Sequence, residues 1–369
     1  MTATKHVLLT LGRLNYGGAE KRLLALLEAL KAAAAPLRFT IYVISGKPGV
    51  LDDRFAATGA RIVMGRPGVR GLGHFHRTLK EDPVDIVHAN TMMASGLYLA
   101  VAKAAGVPER YAHMRNTQAQ GGLSRAVKDG VFGAALRRSA TGVVGVAEAT
   151  RAVTGLGPER FATIYNGLDI ADTGPSRPSG PIKLLMLGRI APAKAPLRAI
   201  PIVRAMVEAK VDMTLDVVGA TDTPLAAELE RRIAEEGLGD HVYLRGESDT
   251  PTMWFEGAHV SILLSRHEGL PGTVLEALSV GTPVVATDLP GVREIAVRTM
   301  GVTIMPDDAS PERWSHAIVA AAGIGDAGRA EIAASFAKSP FVIERHMELM
   351  RLLWDQGFAA VKQRIEQER

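Results

Sequence analysis

Two glutamates in the second half of the chain have the spacing and the surroundings of a ligand site. Glu268 and Glu276 lie in the segment SRHEGLPGTVLEALSVGTPVVAT, residues 265–287. This segment follows an apolar run, crosses a turn rich in glycine and proline, and enters a helical pattern near Thr273. Ionised carboxylates accept hydrogen bonds from sugar or ribose hydroxyls, and N–H groups at a helix start bind phosphate. The segment therefore predicts binding of hydroxyl and phosphate groups.

Other motifs that could do chemistry are missing or out of place. The chain has no cysteine, which excludes disulfides, thiolate metal sites and cysteine nucleophiles. It has no Walker A loop and no Asp-x-Asp triplet for a divalent cation. His74 and His76 lack a third ligand at a suitable spacing, which favours a loop or surface pair. The G-x-G-x-x-G match at Gly323–Gly328 follows a helical segment, so we do not interpret it as a dinucleotide loop.

The elements that must position these residues alternate between strands and helices. Strands are predicted at Val7–Leu11, Phe39–Ile44, Arg61–Val63, Asp85–His88, Arg110–His113, Gly142–Val146, Ala162–Tyr165, Lys183–Leu187, Leu215–Val218, His241–Leu244, His259–Leu264, Val284–Thr287 and Val302–Ile304. Helical patterns lie between them, among them Ala19–Ala35, Met92–Ala105, Leu123–Leu136 and Pro311–Ala322. Repeated alternation of this kind predicts parallel, doubly wound sheets covered by helices.

A stretch rich in glycine, proline and serine, residues 172–181, is typical of a linker between domains. We therefore predict an α/β protein with two Rossmann-like doubly wound domains, at residues 1–171 and 182–340. Residues 341–369 are predicted to be helical and to pack back across the hinge. Ligands of such sheets bind beyond the carboxyl ends of the strands. This arrangement suits an enzyme that holds one substrate on each side of an interdomain cleft.

Composition agrees with a folded, cytoplasmic protein. The 369 residues suffice for two to three domains, with 47% hydrophobic and 22% charged residues. The longest apolar stretch, Thr91–Val107, is interrupted by polar residues, and the start lacks the core of a signal peptide. Residues 1–172 carry a net charge of +9 and residues 173–369 a net charge of −5, which suggests different partners for the two halves. We expect no nucleic-acid partner.

Four segments of the chain together resemble a known family. They are the Glu268–Glu276 block, the loop Gly17-Gly18-Ala19-Glu20, the segment Gly188-Arg189-Ile-Ala-Pro-Ala-Lys194 and the segment Ile164-Tyr-Asn-Gly-Leu-Asp169. In their order they closely resemble family 4 of the retaining, nucleotide-sugar-dependent glycosyltransferases with the GT-B fold. The E-x7-E block is highly specific, whereas the glycine loop alone is a weak signal. The resemblance covers nearly the whole chain.

The resemblance implies a retaining glycosyltransferase that uses no metal and no bound cofactor. Its co-substrate would be a nucleotide-diphosphate sugar, with a hexosyl or related group transferred to a hydroxyl. The acceptor would be a carbohydrate, a lipid-linked molecule or a small molecule. The pathway would be the synthesis of cell-envelope polysaccharide, glycolipid or glycoside.

The resemblance also implies a role for each matching residue. Glu276 would hold the ribose and Glu268 the transferred sugar, while Arg189 and Lys194 would stabilise charge on the leaving phosphate. The donor's own phosphate would help to deprotonate the acceptor on the same face. Loop residues 244–249 would read the base through backbone groups. The expected catalytic residues are Glu268, Arg189 and Lys194. The expected donor site comprises Gly17, Gly18, Arg189, Lys194, Gly246, Glu268, Gly269, Leu270, Pro271, Gly272, Thr273, Val274 and Glu276.

The first half departs from the family pattern at two strand ends. Residues 85–90 resemble a D-x-V-H-x-H strand end, with Asn90 in place of the second histidine. In residues 110–116, the register puts Arg115 rather than His113 at the position near the reacting carbons. Arginine binds hydroxyls or phosphate oxygens but is no base near neutral pH. We expect the acceptor or sugar side to comprise His88, Asn90, His113, Arg115 and Asn116. An ordinary buried strand position is an equal interpretation of both histidines.

Two other functions stay open. A GT-B sugar-nucleotide epimerase or a phosphorylase would not need the E-x7-E block, and a phosphorylase would need a pyridoxal lysine, for which the sequence offers no context. The second alternative is a catalytically silent glycosyltransferase-like subunit. Such a subunit would need none of Arg189, Lys194, Glu268 and Glu276, so the presence of all four argues against it. An NAD-dependent dehydrogenase is disfavoured because the glycine motif follows a helix.

A basic helical pattern in the first half suggests contact with a membrane. In residues 122–138, Leu123, Val127, Val131 and Leu136 are predicted to lie along one face, with Phe132 beside them. The cations Arg125, Lys128, Arg137 and Arg138 lie off that face. Such a helix can bind an anionic membrane surface, which would make the protein peripheral on the inner face of the plasma membrane. The same stripe would equally serve a helix packed on its own sheet.

Overall fold

A computed structural model describes residues 4–116, 123–170 and 178–368, with side chains except at residue 69 and residues 123–129. The chain forms two compact units. Unit 1 comprises Met1–Gly167 and Ile343–Arg369, and unit 2 comprises Leu168–Val342. The boundary falls at Leu168, whose N–H donates to the carbonyl of Phe341 over 2.9 Å. Of the predicted linker 172–181, residues 172–177 lie outside the described part of the chain.

Strands and helices alternate from Lys5 to Gly145 and again from Ile182 to Ala322, and three further helices end the described residues. The strands are β1 (Lys5–Leu11), β2 (Leu37–Val43), β3 (Arg61–Met64), β4 (Ile86–Ala89), β5 (Glu109–Met114), β6 (Gly142–Gly145), β7 (Phe161–Thr163), β8 (Ile182–Leu187), β9 (Met213–Val218), β10 (Val242–Gly246), β11 (Val260–Leu263), β12 (Val284–Thr287) and β13 (Val302–Met305). The helices are α1 (Gly18–Ala32), α2 (Asp52–Ala57), α3 (Val69–Glu81), α4 (Ser95–Ala105), α5 (Leu123–Ser139), α6 (Ala199–Glu208), α7 (Pro224–Glu235), α8 (Pro251–Glu256), α9 (Gly272–Ser279), α10 (Pro290–Ala296), α11 (Pro311–Ala322), α12 (Asp326–Ala337), α13 (Ile343–Gln356) and α14 (Phe358–Glu366).

Each unit is built on one parallel sheet. Unit 1 has seven strands in the order β3-β2-β1-β4-β5-β6-β7, and unit 2 has six in the order β10-β9-β8-β11-β12-β13, counted over the described residues. In each sheet the order reverses between the first and the fourth strand of the unit, which is the point where doubly wound sheets bind ligands. The predicted fold class, two doubly wound α/β domains, is confirmed.

Successive strand residues point to opposite faces of a sheet, and helices that cover both faces bury them. In β1, Val7 and Leu9 pack into a cluster with α1 and α13, whereas Leu8 packs into a second cluster with α3 and α4. In β8, Leu184 and Met186 pack against the side chains of α6, α7 and α11. The apolar runs that predicted the strands are therefore the cores of the two units.

The end of the chain belongs to unit 1. Leu353 and Trp354 of α13 are fully buried in the same cluster as β1 and α1. Gly357, at a φ of +89°, separates α13 from α14, so the single helical segment predicted here is two helices. The Phe358 ring then packs so close to Gly142 that a Cβ atom there would lie 2.2 Å from it.

Helix α5 does not present the apolar face that the sequence pattern predicts. Leu136 is fully buried and Phe132 packs against the core of unit 1, but Val131 is 57% exposed. Five positions correspond to 500° of helical rotation, so Val131 and Leu136 point about 140° apart. The predicted partners Leu123 and Val127 belong to the residues whose side chains lie outside the description.

Candidate functional site

In unit 2, the loop after β8 and the loop after β11 meet at the switch point of the sheet, where the order of the strands reverses. Lys194 follows β8 and Glu268 follows β11, and these strands are neighbours. The Lys194 Nζ lies 2.6 Å from Glu268 Oε1, and the Ser265 hydroxyl donates to the same oxygen over 2.8 Å. A backbone hydrogen bond from Arg266 N to Ala193 O, 2.8 Å long, fixes the loops to each other. The fold therefore joins two segments that the sequence separates widely.

The first of these loops depends on glycine at its start. Gly188 has a φ of +142°, a conformation that residues with a side chain rarely adopt. Arg189 is exposed and makes no hydrogen bond or ion pair with any described residue. Lys194 and Glu268 are only 21% and 16% exposed. The pair is therefore partly shielded from water while still within reach of a ligand.

The second loop leads directly into helix α9. Leu270 and Val274 are 7% and 1% exposed and anchor the turn, and Pro271 precedes the first helical residue. Within the described residues, the N–H groups of Gly272 and Thr273 have no backbone carbonyl partner. Such unpaired donors at the positive end of a helix attract anions. Glu276 lies one turn further along α9 and is half-buried.

Two further predicted donor residues lie at strand or loop ends. Gly246 ends β10 with a φ of +75°, and its carbonyl accepts from Gly219 N over 2.8 Å. Gly269 is buried in the loop between Glu268 and Leu270. Both therefore belong to loops that leave the carboxyl edge of the unit 2 sheet.

In unit 1, the glycine loop lies at the carboxyl end of β1. Gly17 is the N-cap of α1 and Gly18 its first residue. The Glu20 carboxylate covers Gly17, since a Cβ atom there would lie 2.3 Å from Glu20 Oε2. Tyr16 is 57% exposed beside them. Gly17 and Gly18 therefore belong to unit 1, whereas the other predicted donor residues belong to unit 2.

His88 and His113 lie inside β4 and β5, each 1% exposed. Their rings stack with centroids 5.4 Å apart at an angle of 14°. The indole N–H of Trp354, in α13, donates to His88 Nδ1 over 3.2 Å. Among the described residues, the other ring nitrogen of His88 and both of those of His113 have no partner. The two side chains therefore lie behind the sheet edge rather than at its rim.

Burial keeps these histidines neutral. Desolvation, followed by the nearby Arg115 charge, lowers the pKa of His88 to about 3 and holds that of His113 well below its usual value. Desolvation also lowers the pKa of His346 to about 4, although its Nδ1 lies 2.6 Å from the carbonyl of Tyr165. All three rings are therefore uncharged near neutral pH.

Arg115 is the first residue beyond β5 and lies at the carboxyl edge of the unit 1 sheet. Its Nη2 donates to Asn90 Oδ1 over 3.1 Å, and its Nη1 donates to Asn166 Oδ1 over 3.2 Å. Burial lowers its pKa to about 10, so it stays charged near neutral pH. Asn116 follows and is half-buried. Four of the five residues predicted for this side, His88, Asn90, His113 and Arg115, thus share the ends of two neighbouring strands.

Sequence reasoning missed four residues that support these sites. Asn166 lies in the quoted I-x-N-G-x-D segment, and Ser265 opens the quoted E-x7-E block, so both had a signal. His346 and Trp354 had none, because their contacts lie 181 and 266 positions away along the chain. Over the described residues, no group of three or more His, Asp or Glu side chains is arranged to hold a metal ion. None of the helices in that part of the chain is both long and apolar enough to cross a bilayer.

The two sheets and their topology define a two-domain α/β protein of the GT-B fold. Residues 181–322 match the family Glycosyl transferases group 1. The structure of Anabaena Alr3699/HepE in complex with UDP and glucose superposes with a TM-score of 0.75 over 94% of this chain and 98% of its own, at 17% identity. At that identity the likeness shows the fold.

Two curated relatives align over about two thirds of the chain or more. The capsular polysaccharide biosynthesis glycosyltransferase CapH of Staphylococcus aureus is 26% identical over 275 residues, which are 72% of this chain and 76% of CapH. The D-inositol 3-phosphate glycosyltransferase 1 of Catenulispora acidiphila is 25% identical over 284 residues, which are 68% of this chain and 67% of that protein. Together with the fold and the matched domain, these relatives support a GT-B glycosyltransferase.

Proposed function

We propose that this protein is a retaining, metal-independent glycosyltransferase that moves a sugar from a nucleotide-diphosphate sugar to a hydroxyl acceptor. The observation that carries the proposal is the meeting of Lys194, Glu268 and Ser265 at the switch point of unit 2. The similarity to CapH favours polysaccharide synthesis among the candidate pathways. Glycolipid and glycoside synthesis are the other pathways that fit this chemistry.

Unit 2 would bind the donor. Arg189 and Lys194 would face the diphosphate, and the N–H groups at the start of α9 would bind its oxygens. Negative charge grows on the phosphate as the sugar bond breaks, and fixed cations and N–H donors stabilise that charge without any rearrangement. This assignment gives the protein itself the role that a divalent cation plays elsewhere, so the reaction would need no metal.

The two glutamates would divide the hydroxyls of the donor between them. Glu276 would accept from the ribose, and Glu268 would accept from the transferred sugar. Glu268 contacts Lys194 directly, so the carboxylate that orients the sugar also positions the cation that stabilises the leaving group. The donor phosphate would help to remove the acceptor proton on the same face, and the anomeric configuration would be retained.

Unit 1 would bind the acceptor side of the reaction. Asn90 and Arg115 lie at the edge of its sheet, whereas His88 and His113 lie behind them and are neutral. The neutral, buried histidines are poorly placed to remove a proton, which agrees with a reaction in which the donor phosphate does so. The glycine loop Gly17-Gly18, which the family resemblance assigns to the donor, would let backbone atoms approach that ligand closely.

A nucleotide screen tests the donor assignment. Calorimetry on the full chain with UDP, GDP, ADP and their sugars should identify one base that binds, and UDP is the first candidate because Alr3699/HepE was solved with it. Turnover then separates the alternatives. Acceptor-dependent release of free nucleotide supports transfer, conversion of the nucleotide sugar without release supports an epimerase, and binding without turnover under any condition supports a silent subunit.

Membrane contact through helix α5 stays a prediction. Leu136 and Phe132 pack in the core of unit 1, so the described part of α5 offers Val131, Arg137 and Arg138 to its surroundings. Vesicle co-sedimentation decides the matter. Contact would appear as binding to anionic vesicles that weakens with salt and falls when Arg137 and Arg138 become serine. If the protein does not bind anionic vesicles at low salt, α5 is a helix that packs only on its own unit. A peripheral membrane location would then have no support.

A further inference from the structure

Arg115 is a charged group held in place without being neutralised. Two amide oxygens, from Asn90 and Asn166, accept from its two terminal nitrogens. Amide oxygens are neutral, so they orient the guanidinium but leave its full positive charge. Among the described residues, no carboxylate lies within ion-pair distance of it.

The surroundings of Arg115 contain little that compensates this charge. Its Nε is buried and has no partner in the described part of the chain. His88 and His113 are nearby and neutral. The charge of Glu20 raises the pKa of Arg115 against the larger effect of burial, and the two described side chains form no ion pair. Arg115 is half-buried, and a partly buried guanidinium without a counter-ion is unfavourable by itself, which points to an anion supplied from outside the described residues.

A substrate is the most direct source of that anion. The guanidinium lies just past the end of β5, at the sheet edge where ligands of doubly wound folds bind. Arginine presents flat, paired N–H donors that match the oxygens of a carboxylate or a phosphate. Two of its five donors are used by Asn90 and Asn166, which leaves donors for a ligand oxygen.

We propose that Arg115, oriented by Asn90 and Asn166, is an oxyanion subsite, and that the substrate held by unit 1 carries a carboxylate or a phosphate. This inference rests on the proposed transferase function, in which unit 1 binds the acceptor side. It narrows the substrate class from any hydroxyl compound to an anionic one. The two sources of the oxyanion are a sugar acid and a phosphorylated acceptor.

Binding of three simple probes to the full chain tests the subsite. Saturation-transfer NMR would give the affinities of D-glucuronate, D-glucose 1-phosphate and neutral D-glucose. We expect at least one anion to bind at least tenfold more tightly than glucose. A preference for glucuronate identifies a carboxylate, a preference for glucose 1-phosphate identifies a phosphate, and equal binding identifies recognition of charge itself.

Three variants connect the preference to Arg115. Arg115→Gln should abolish the preference, and Arg115→Lys should keep part of it. Asn166→Asp changes one amide to a carboxylate of the same shape, so it should neutralise the guanidinium and abolish the preference even if Arg115→Gln folds poorly. Arg77→Gln removes an exposed cation from the same unit and is the matched control, with the preference unchanged.

Nucleotide binding is measured for each variant as well, so that failure of the oxyanion subsite can be distinguished from failure of the proposed transferase function. UDP binding belongs to unit 2 and should be equal in all four variants, whether or not the oxyanion subsite exists. Failure of all nucleotides to bind would count against the transferase and leave the anion measurement standing. The subsite is overturned if neither anion binds better than glucose, or if the preference survives both Arg115→Gln and Asn166→Asp.

Discussion

The ammonium of Lys194 lies 2.6 Å from the carboxylate of Glu268, although the two residues are 74 positions apart in the sequence. Each belongs to a different loop at the switch point of one parallel sheet. The contact joins the group proposed to stabilise the leaving phosphate to the group proposed to hold the sugar. A bound diphosphate would have to share the ammonium with Glu268, and this competition leads to predictions that separate the roles of the charged residues.

Replacing Lys194 should damage catalysis more than binding. Charge on the leaving phosphate increases toward the transition state, so Lys194→Ala should lower turnover by roughly 10²–10³ and weaken the donor complex less. Steady-state kinetics with titrated donor measures both quantities. Lys338→Ala removes an exposed lysine of the same unit and serves as the control. Turnover equal to that of the wild type in Lys194→Ala would remove the phosphate assignment.

Replacing Glu268 should have the opposite effect on nucleotide binding. Glu268→Gln keeps the shape of the side chain but leaves Lys194 without its carboxylate partner, so the ammonium becomes freer to bind phosphate. We expect the nucleotide diphosphate to bind as tightly as before or more tightly, while transfer falls sharply because the sugar hydroxyls lose their charged hydrogen-bond acceptor. Calorimetry with the free diphosphate and kinetics with the sugar nucleotide give the two readings. Weaker diphosphate binding would show that Glu268 has another role.

Glu276 should affect the nucleotide and the nucleotide sugar equally. Both ligands contain the ribose, and a hydrogen bond to a charged group contributes about 1.5–3 kcal/mol, so Glu276→Gln should weaken each by roughly 10- to 100-fold. Calorimetry on the two ligands checks this. If the free diphosphate bound Glu276→Gln as tightly as the wild type, the ribose assignment would be wrong.

Three buried histidines predict that unit 1 loses stability in mild acid. Burial lowers the pKa of His88 to about 3 and of His346 to about 4, and that of His113 falls well below 6.5. Below pH 6.5 the unfolded chain binds protons that the folded chain does not accept. The free energy of unfolding is therefore highest above pH 6.5. It falls as the pH drops toward the pKa values of the folded state, by about 1.4 kcal/mol per pH unit for each histidine. Urea denaturation at pH 7.0, 6.0 and 5.0 measures the loss.

His113→Phe isolates the contribution of one ring. Among the described residues neither nitrogen of His113 has a partner, so a phenyl ring should cost little at pH 7 and should reduce the acid loss by one histidine's share. His88→Phe is the matched comparison, because it leaves the Trp354 N–H without its acceptor and should be less stable at pH 7. An acid loss in His113→Phe as steep as that of the wild type would contradict the buried neutral state.

The sequence was sufficient to predict the fold because each strand and each helix leaves a pattern in its own short segment of the chain. Each predicted strand overlaps an observed one, since buried parallel strands are short apolar runs between polar turns. The E-x7-E block likewise placed Glu268 in a loop and Glu276 in a helix, as the structure has them. Roles of these residues remain predictions, to be settled by the experiments above.

The features that the sequence did not predict depend on contacts between residues far apart in the chain. The pattern of α5 suggested one apolar face, but packing on its own unit buries Leu136 and leaves Val131 outside. No local signal connects Trp354 to His88, or Asn166 to Arg115, because these pairs form only when the sheet of unit 1 is complete. Positions such as Gly357, whose φ of +89° ends α13, are equally invisible to periodicity.

Acceptor-dependent release of nucleotide diphosphate tests the central claim most directly. Wild-type protein, incubated without added metal and with chelator, is given the nucleotide sugar selected by the binding screen and a set of neutral, carboxylated and phosphorylated acceptors. We predict that free diphosphate appears together with a glycosylated product of retained configuration, and that Lys194→Ala slows its appearance by roughly 10²–10³. Diphosphate release that needs no acceptor, or that is equally fast in Lys194→Ala, would contradict transfer at the site formed by Lys194 and Glu268.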